Sequence, residues 1–203
     1  MAAKLDGTAL GAIAVGTLFV YSGITGRSVL ASVQTIVSGQ SPSKLPNANP
    51  INGTGNPNAT PVTPGAISGS VNGMAIAQAA LRYAGHPYLF GGAPGPNGTN
   101  PWDCSSFVNW VLNHDFAVSL PGGAWNPNTH GPNTTSYMGW KGAQTITRAN
   151  LAAGDLCIWP THMGIALNNG QMISALNPRL GTQVTTIDGG APGGESLVCR
   201  RVL

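Results

Sequence analysis

A stretch without hydrophobic periodicity, residues 41–73, limits where this chain can build a compact fold. It contains six prolines, many Asn and Gly residues, and a single charged side chain, Lys44. Prolines favour extended backbone, and so polar a segment cannot bury enough apolar surface to pack as a domain. We therefore predict a linker over residues 41–73, between an N-terminal segment of residues 1–40 and a globular domain of residues 74–203.

The N-terminal segment is predicted to be helical and hydrophobic. Residues 7–26 carry no charge and approach the length of about 20 residues that a helix needs to span a bilayer. Residues 28–40 continue with apolar side chains at helical spacing. Three interpretations stay open: a membrane anchor, a signal peptide, or a helix buried in a protein assembly.

Residues 74–203 show first a helical and then a strand pattern. The run MAIAQAALRYAG from Met74 predicts a helix that Gly85 can end. Four later runs, separated by turn residues, predict strands: GDLCIW, HMGIAL, QMISAL and TQVTTI. Asn169-Gly170 predicts a hairpin between the second and third of these. We therefore expect an α+β domain with helices packed on a small antiparallel sheet.

Composition excludes several kinds of partner. Charged residues make up 7% of the chain, and its net charge of +3 is not clustered, so no nucleic-acid surface is expected. The three cysteines are isolated from one another and lack metal-ligand spacing, so we predict neither a metal site nor a cofactor.

Cys104 is the candidate nucleophile. Asp103 is a favoured N-cap residue, and an apolar stripe at helical spacing follows, so Cys104 should lie in the first turn of a helix. That position favours a thiolate with a lowered pKa, and the Gly/Pro-rich loop before Trp102 should let substrate reach it. Cys157 and Cys199 are predicted to be buried structural residues.

A thiol nucleophile needs a base, and His162 is the best candidate among the four histidines. His86 follows a helix, His114 lies far up the helix of Cys104, and His130 lies in a polar loop. His162 instead begins a predicted strand, which can hold an imidazole rigidly.

The third residue, which orients the imidazole, depends on the turn of the predicted hairpin. A two-residue turn at Asn169-Gly170 places Asn177 opposite His162 on the same face of the sheet. A three-residue turn instead places Ser174 on that face and turns Asn177 away. We prefer Asn177 and keep Ser174 as the alternative.

Taken in order, the segments GHPYLFGG, WDCSSFVNWV, LAAGDLCIW and HMGIALNNGQMISA resemble the NlpC-type, papain-like cysteine peptidases that cut bacterial cell-wall peptides. The resemblance implies Cys104 as nucleophile and His162 as base. It also implies that Tyr88 helps to stabilise the oxyanion, and that Asp103 and Ser105 hold the free amine of the substrate. The third polar residue of that family is commonly His, and Ser174 occupies its position here.

The resemblance implies a peptidoglycan endopeptidase that cuts stem peptides, with the bond between D-glutamate and the diamino acid as the expected target. Residues 1–40 would tether the enzyme to a membrane or a phage tail, which places it in the bacterial envelope or the virion. The rival interpretation is a non-catalytic structural or plug component with a degenerate peptidase-like domain.

Overall fold

The structure is a computed structural model that describes residues 59–65 and 69–202. The predicted hydrophobic segment of residues 1–40, and the linker outside residues 59–65 and 69–73, lie outside the described residues. Within the described ranges, no helix is both long enough and apolar enough to cross a membrane.

The domain combines short helices with one antiparallel sheet, as predicted for an α+β fold. Over the described residues, six strands form the sheet in the order β1-β6-β2-β3-β4-β5. In chain order the elements are α1 (Val71–Leu81), α2 (Cys104–Asn109), a π-helical segment (Trp110–Asp115), α3 (Thr134–Met138), β1 (Ala143–Ile146), a 3₁₀ turn (Arg148–Asn150), β2 (Leu156–Ile158), β3 (Met163–Ala166), β4 (Gln171–Asn177), β5 (Gly181–Thr186), α4 (Ile187–Gly190) and β6 (Val198–Val202).

Helix α1 begins three residues before the predicted boundary at Met74, because Ser70 caps it by accepting a hydrogen bond from the backbone N–H of Gly73. At Gly73 the helix lies against the turn before β2, and a Cβ there would collide with the carbonyl oxygen of Ala153. Residues 59–65 run beside β5, where the backbone N–H of Val62 donates to Val184. The division of the chain at Met74 stays a prediction.

Helix α2 begins at Cys104, as predicted, and its apolar side chains pack inward. Asp103 is the N-cap, and its carboxylate accepts the backbone N–H groups of Ser105 and Ser106. Phe107 and Val108 are fully buried. Each such burial stabilises the fold by about 1.5–3 kcal/mol. The N-terminal end of α2 is therefore fixed both by its cap and by the packing of its apolar face.

The sheet has two different faces because side chains alternate along each strand. Leu156 and Ile158 of β2 belong to the main core, which includes the apolar side chains of α2. Cys157, between them, belongs to a second and smaller core with Trp159 and Met172. Side chains on the two faces of β2 therefore pack into two separate cores.

The hairpin between β3 and β4 has the three-residue form of its turn. The backbone N–H of Leu167 donates to the carbonyl of Gln171 over 2.8 Å, and Ile165 pairs with Ile173. Asn168 holds the turn together, since its side-chain oxygen accepts the N–H groups of Gly170 and Gln171, both over 2.8 Å. This register puts Ser174, not Asn177, on the face of His162.

Candidate active site

The nucleophile candidate lies where the first turn of α2 meets β3. The backbone N–H of Met163, the residue that directly follows His162, lies close enough to the Cys104 thiol to lower its pKa. Only 7% of Cys104 is exposed. Cys104 therefore lies beside β3, but its sulfur is more enclosed than the Gly/Pro-rich loop suggested.

The predicted lowering of the thiol pKa is wrong. Burial is the largest influence on the Cys104 thiol, and the carboxylate of the neighbouring Asp103 adds to it, so that the pKa is raised to about 12. The backbone N–H groups of Met163, Ser105 and Cys104 itself oppose this rise only in part. Cys104 is consequently a neutral thiol at pH 7.

The backbone pairing of β3 with β4 ends at Ile165 and Ile173, and the site lies just beyond this pair. Past them, the hydroxyl of Ser174 donates to the carbonyl oxygen of Met163 over 2.5 Å. A side chain thus replaces the missing backbone hydrogen bond, and it fixes the spacing of the two strands next to Cys104.

The same hydroxyl determines which nitrogen of His162 carries the proton. Ser174 Oγ lies 3.1 Å from His162 Nε2. A serine hydroxyl has one proton, and here that proton goes to a carbonyl oxygen, which can only accept. Ser174 must therefore accept from Nε2–H, which leaves Nδ1 of His162 unprotonated and able to act as a base.

Asn177, the preferred third residue of the sequence analysis, is placed differently from the prediction. It pairs with Gly181 at the far end of β4. Its side-chain oxygen accepts the backbone N–H groups of Arg179 and Leu180 and so shapes the turn into β5. The two-residue turn assumed for Asn177 does not form, and Ser174 is the residue that contacts the imidazole.

His162 is neutral in the free protein. It is 2% exposed, and burial lowers its pKa to about 4, against the opposing influence of the carboxylates of Asp103 and Glu195. Among the described residues, no hydrogen bond joins the imidazole to the sulfur of Cys104. Such bonds are often long in free enzymes and shorten when substrate binds. The resting site therefore holds a neutral thiol and a neutral imidazole rather than an ion pair.

Asp103 has a partner that the sequence did not suggest, His130. Its second carboxylate oxygen, Oδ2, accepts from the backbone N–H of Gly91 over 3.0 Å and from His130 Nε2 over 2.8 Å. The other nitrogen of His130 contacts the carbonyl oxygen of Gly131 over 3.1 Å. Both of these contacts are to acceptors, so they favour the doubly protonated, positively charged form of the His130 imidazole.

The pair changes both pKa values. The hydrogen bond with Asp103 raises the pKa of His130 despite its partial burial. Burial alone would raise the pKa of Asp103, but the hydrogen bond and charge of His130, with the backbone N–H groups of Ser106 and Gly91, lower it to about 2. His130 lies 27 residues away in a polar loop, so neither spacing nor periodicity could indicate this contact.

Ser105 and Tyr88, the other predicted substrate contacts, also lie at the site. The hydroxyl of Ser105 donates to Asp103 Oδ1 over 3.0 Å and lies 3.3 Å from His130 Nε2. Tyr88 is close enough to Cys104 and Asp103 for both to add to the burial that raises the pKa of its hydroxyl. Asp103 and Ser105 are thus engaged with each other and with His130, and a substrate amine would have to compete with His130.

The other histidines lie elsewhere. His86 stacks on Trp102 and His114 stacks on Trp110, with ring centroids 3.6 and 3.8 Å apart. Over the described part of the chain, no group of three or more His, Cys, Asp or Glu side chains could hold a metal ion. The arrangement around Cys104 is suited to nucleophilic attack with an imidazole base.

Several known proteins are similar in sequence to this chain. The model of the NlpC/P60 family matches residues 85–200. Protein P54 of Enterococcus faecium is 32% identical over 124 residues, which cover 59% of this chain and 21% of P54. A probable endopeptidase of Mycobacterium bovis is 28% identical over 121 residues, which cover 58% of this chain and 27% of that protein. The chain therefore spans 21% and 27% of the lengths of these two relatives.

Among solved structures, the NlpC/P60 domain of the peptidoglycan hydrolase SagA is similar to this chain. It shows 27% sequence identity and a TM-score of 0.46, over 63% of this chain and 97% of the SagA domain.

Proposed function

The chain belongs to the NlpC/P60 family, and on that premise we propose that it is a cysteine endopeptidase that hydrolyses amide bonds in the stem peptides of bacterial peptidoglycan. The observation that carries the proposal is the placement of three side chains. Cys104 begins a capped helix with its thiol near the backbone N–H of Met163, and His162, the residue before Met163, is held by Ser174 with Nδ1 able to accept a proton.

The reaction begins with proton transfer as the sulfur attacks. Nδ1 of His162 removes the thiol proton of Cys104 while the sulfur forms a bond to the amide carbonyl carbon. The oxyanion would be stabilised by the backbone N–H of Cys104 at the helix N-terminus and by the hydroxyl of Tyr88. His162 then gives the proton to the leaving amine, and water, activated by the same imidazole, releases the acyl group from the sulfur.

Digestion of purified peptidoglycan tests this proposal. The full chain should release stem peptides detectable by mass spectrometry, whereas the Cys104→Ser and His162→Gln variants should release none. His114→Gln is the matched control, because His114 is an exposed histidine on the π-helical segment. Release of the same peptides by the Cys104→Ser variant would rule out Cys104 as the nucleophile, and no release by the unmodified chain would remove the enzymatic interpretation.

We extend the proposal to the bond that is cut and to the place of action. The family resemblance supports cleavage between D-glutamate and the diamino acid, and the masses of the released fragments identify the bond directly. The uncharged residues 7–26 support attachment of residues 1–40 to a membrane or a phage tail, with the peptidase domain outside the cell. Fractionation of the full chain beside a chain without residues 1–40 tests this attachment.

One observation favours a second function, that of a non-catalytic structural or plug component. Cys104 is only 7% exposed, and its thiol is protonated at neutral pH. The same digestion distinguishes the two functions, since a structural component would leave peptidoglycan intact whether or not Cys104 is replaced.

A further inference from the structure

Two cysteines that the proposed reaction does not use lie opposite each other in the sheet. Cys157 of β2 and Cys199 of β6 are register partners in an antiparallel pair. Both are free thiols, 0% and 3% exposed, in the smaller core on the face of the sheet away from α2. They are therefore separate from the site at Cys104.

The backbone hydrogen bonds beside Cys157 show whether Cys157 and Cys199 form a hydrogen-bonded or a non-hydrogen-bonded pair. The N–H of Trp159 donates to His162, and the N–H of Ala166 donates to Asp155, both over 2.8 Å. Residues 155 and 159 thus direct their backbone groups toward β3. Successive residues of a strand direct their backbone groups to opposite sides, so residues two apart direct them to the same side. Cys157 therefore points its N–H and C=O toward β3 and away from β6.

Cys157 and Cys199 are consequently a non-hydrogen-bonded pair across β2 and β6. In such pairs the Cα atoms are about 4.5 Å apart and the side chains approach more closely than in hydrogen-bonded pairs. Disulfides join Cα atoms about 4.4–6.8 Å apart, so this register can accept the bridge without moving the strands. Trp159, Met172 and Ile187 belong to the same buried core as the two cysteines, and this core would shield the bond from reductants.

We propose that Cys157 and Cys199 form a cross-strand disulfide when the chain folds in an oxidising compartment, by exchange with a disulfide such as oxidised glutathione. One cysteine thiolate attacks the oxidant, forming a mixed disulfide and releasing one thiolate. The second cysteine then attacks the protein sulfur of that mixed disulfide and expels the other thiolate. Two protein thiols are oxidised, and two electrons and two protons pass to the oxidant.

The position of Cys157 and Cys199 determines when their disulfide can form and how it affects stability. Both sulfurs are buried in the folded domain, so the exchange takes place before β6 closes onto β2. The bond would close a loop of about 40 residues that carries both His162 and Ser174, and such a loop restricts the unfolded chain considerably. The proposal concerns stability and is independent of whether the domain is catalytic.

The test uses the full chain with Cys104→Ser, which leaves only the two cysteines of the pair. After refolding with oxidised and reduced glutathione, the protein is unfolded with N-ethylmaleimide and weighed by mass spectrometry. We expect no maleimide adduct and a mass lower by about 2 Da than that of the dithiol, and two adducts after reduction. Reduction should lower the Tm by about 10 °C, the effect of opening a loop of this length.

Two matched variants complete the experiment. Adding Cys157→Ala or Cys199→Ala to Cys104→Ser should leave one thiol that reacts without reduction and a Tm that reductant does not change. The unmodified chain should take up a single adduct, on Cys104. Two adducts on the oxidised pair, glutathione retained on either cysteine, or a disulfide that includes Cys104 would each overturn the proposal.

Discussion

Replacing Ser174 with alanine should impair catalysis by removing the only hydroxyl that orients His162 among the described residues. Ser174 is 0% exposed and therefore cannot touch substrate from solvent. The variant retains the β-carbon and loses the hydrogen bonds to His162 Nε2 and to the carbonyl oxygen of Met163. Any loss of activity must then act through the imidazole or through the separation of β3 and β4.

The expected fall in kcat depends on where the Nε2 proton of His162 goes when the hydroxyl is removed. A buried donor without a partner costs about 1–3 kcal/mol. His162 can avoid that cost by moving the proton to Nδ1, but Nδ1 is then no longer a base. In either case the active tautomer becomes less populated, and since about 1.4 kcal/mol corresponds to tenfold, kcat should fall about tenfold to hundredfold. KM should change little, because the hydroxyl does not contact the substrate.

The assay measures kcat and KM for release of stem peptides, with thermal denaturation of each variant to show that it is folded. Asn177→Ser is the matched control, because a serine oxygen can still accept from the turn at Arg179 and Leu180. This control should keep the kcat of the unmodified chain. The assignment of Ser174 would be refuted if Ser174→Ala kept full kcat. It would also be refuted if Asn177→Ser lowered kcat as much as Ser174→Ala does.

Three further outcomes follow from the same contacts. Because burial raises the pKa of the Cys104 thiol to about 12, its alkylation by iodoacetamide should keep accelerating above pH 8; a plateau below pH 7 would contradict this. Since Asp103 raises the pKa of His130, their pair stabilises the fold below pH 6 and is lost as pH rises through the raised pKa. The pair should also persist until pH falls toward the pKa of about 2 of Asp103, so the Tm deficit of His130→Gln should be largest near pH 5 and shrink as pH rises through the raised pKa of His130. Gly73→Ala should cost about 1–3 kcal/mol in urea unfolding by colliding with the turn before β2, whereas Gly139→Ala, with open space around it, should cost far less.

The sequence predicted the elements whose signals are local. Helix α2 starts at its predicted N-cap, and the four predicted strands correspond to β2, β3, β4 and β5. It did not predict β1 and β6, which pair with each other across about 50 residues of chain and have no strong alternation of their own. Such strands form because a neighbour offers them an edge, and that information is not local.

The candidate site shows the same division between local and distant signals. The positions of Cys104 and His162 follow from a cap and a strand, which are local features. The choice between Ser174 and Asn177 depended on a single residue in the length of a turn, since one step moves every side chain of a strand to the other face. The side chain of Asn168 stabilises the three-residue turn by accepting two backbone N–H groups. The sequence alone did not show that this interaction would form.

Burial of the site has a consequence for when the nucleophile becomes reactive. The thiol of Cys104 and the imidazole of His162 are both uncharged at rest, because each charged form would lose its hydration. A thiolate and an imidazolium formed together stabilise each other, and the growing oxyanion takes over the negative charge as the sulfur bonds to carbon. Proton transfer should therefore accompany attack on a bound substrate. Thiolates are also the form that reacts with oxidants and disulfides, so a protonated Cys104 in the folded domain can stay reduced in the oxidising surroundings proposed for the joining of Cys157 and Cys199.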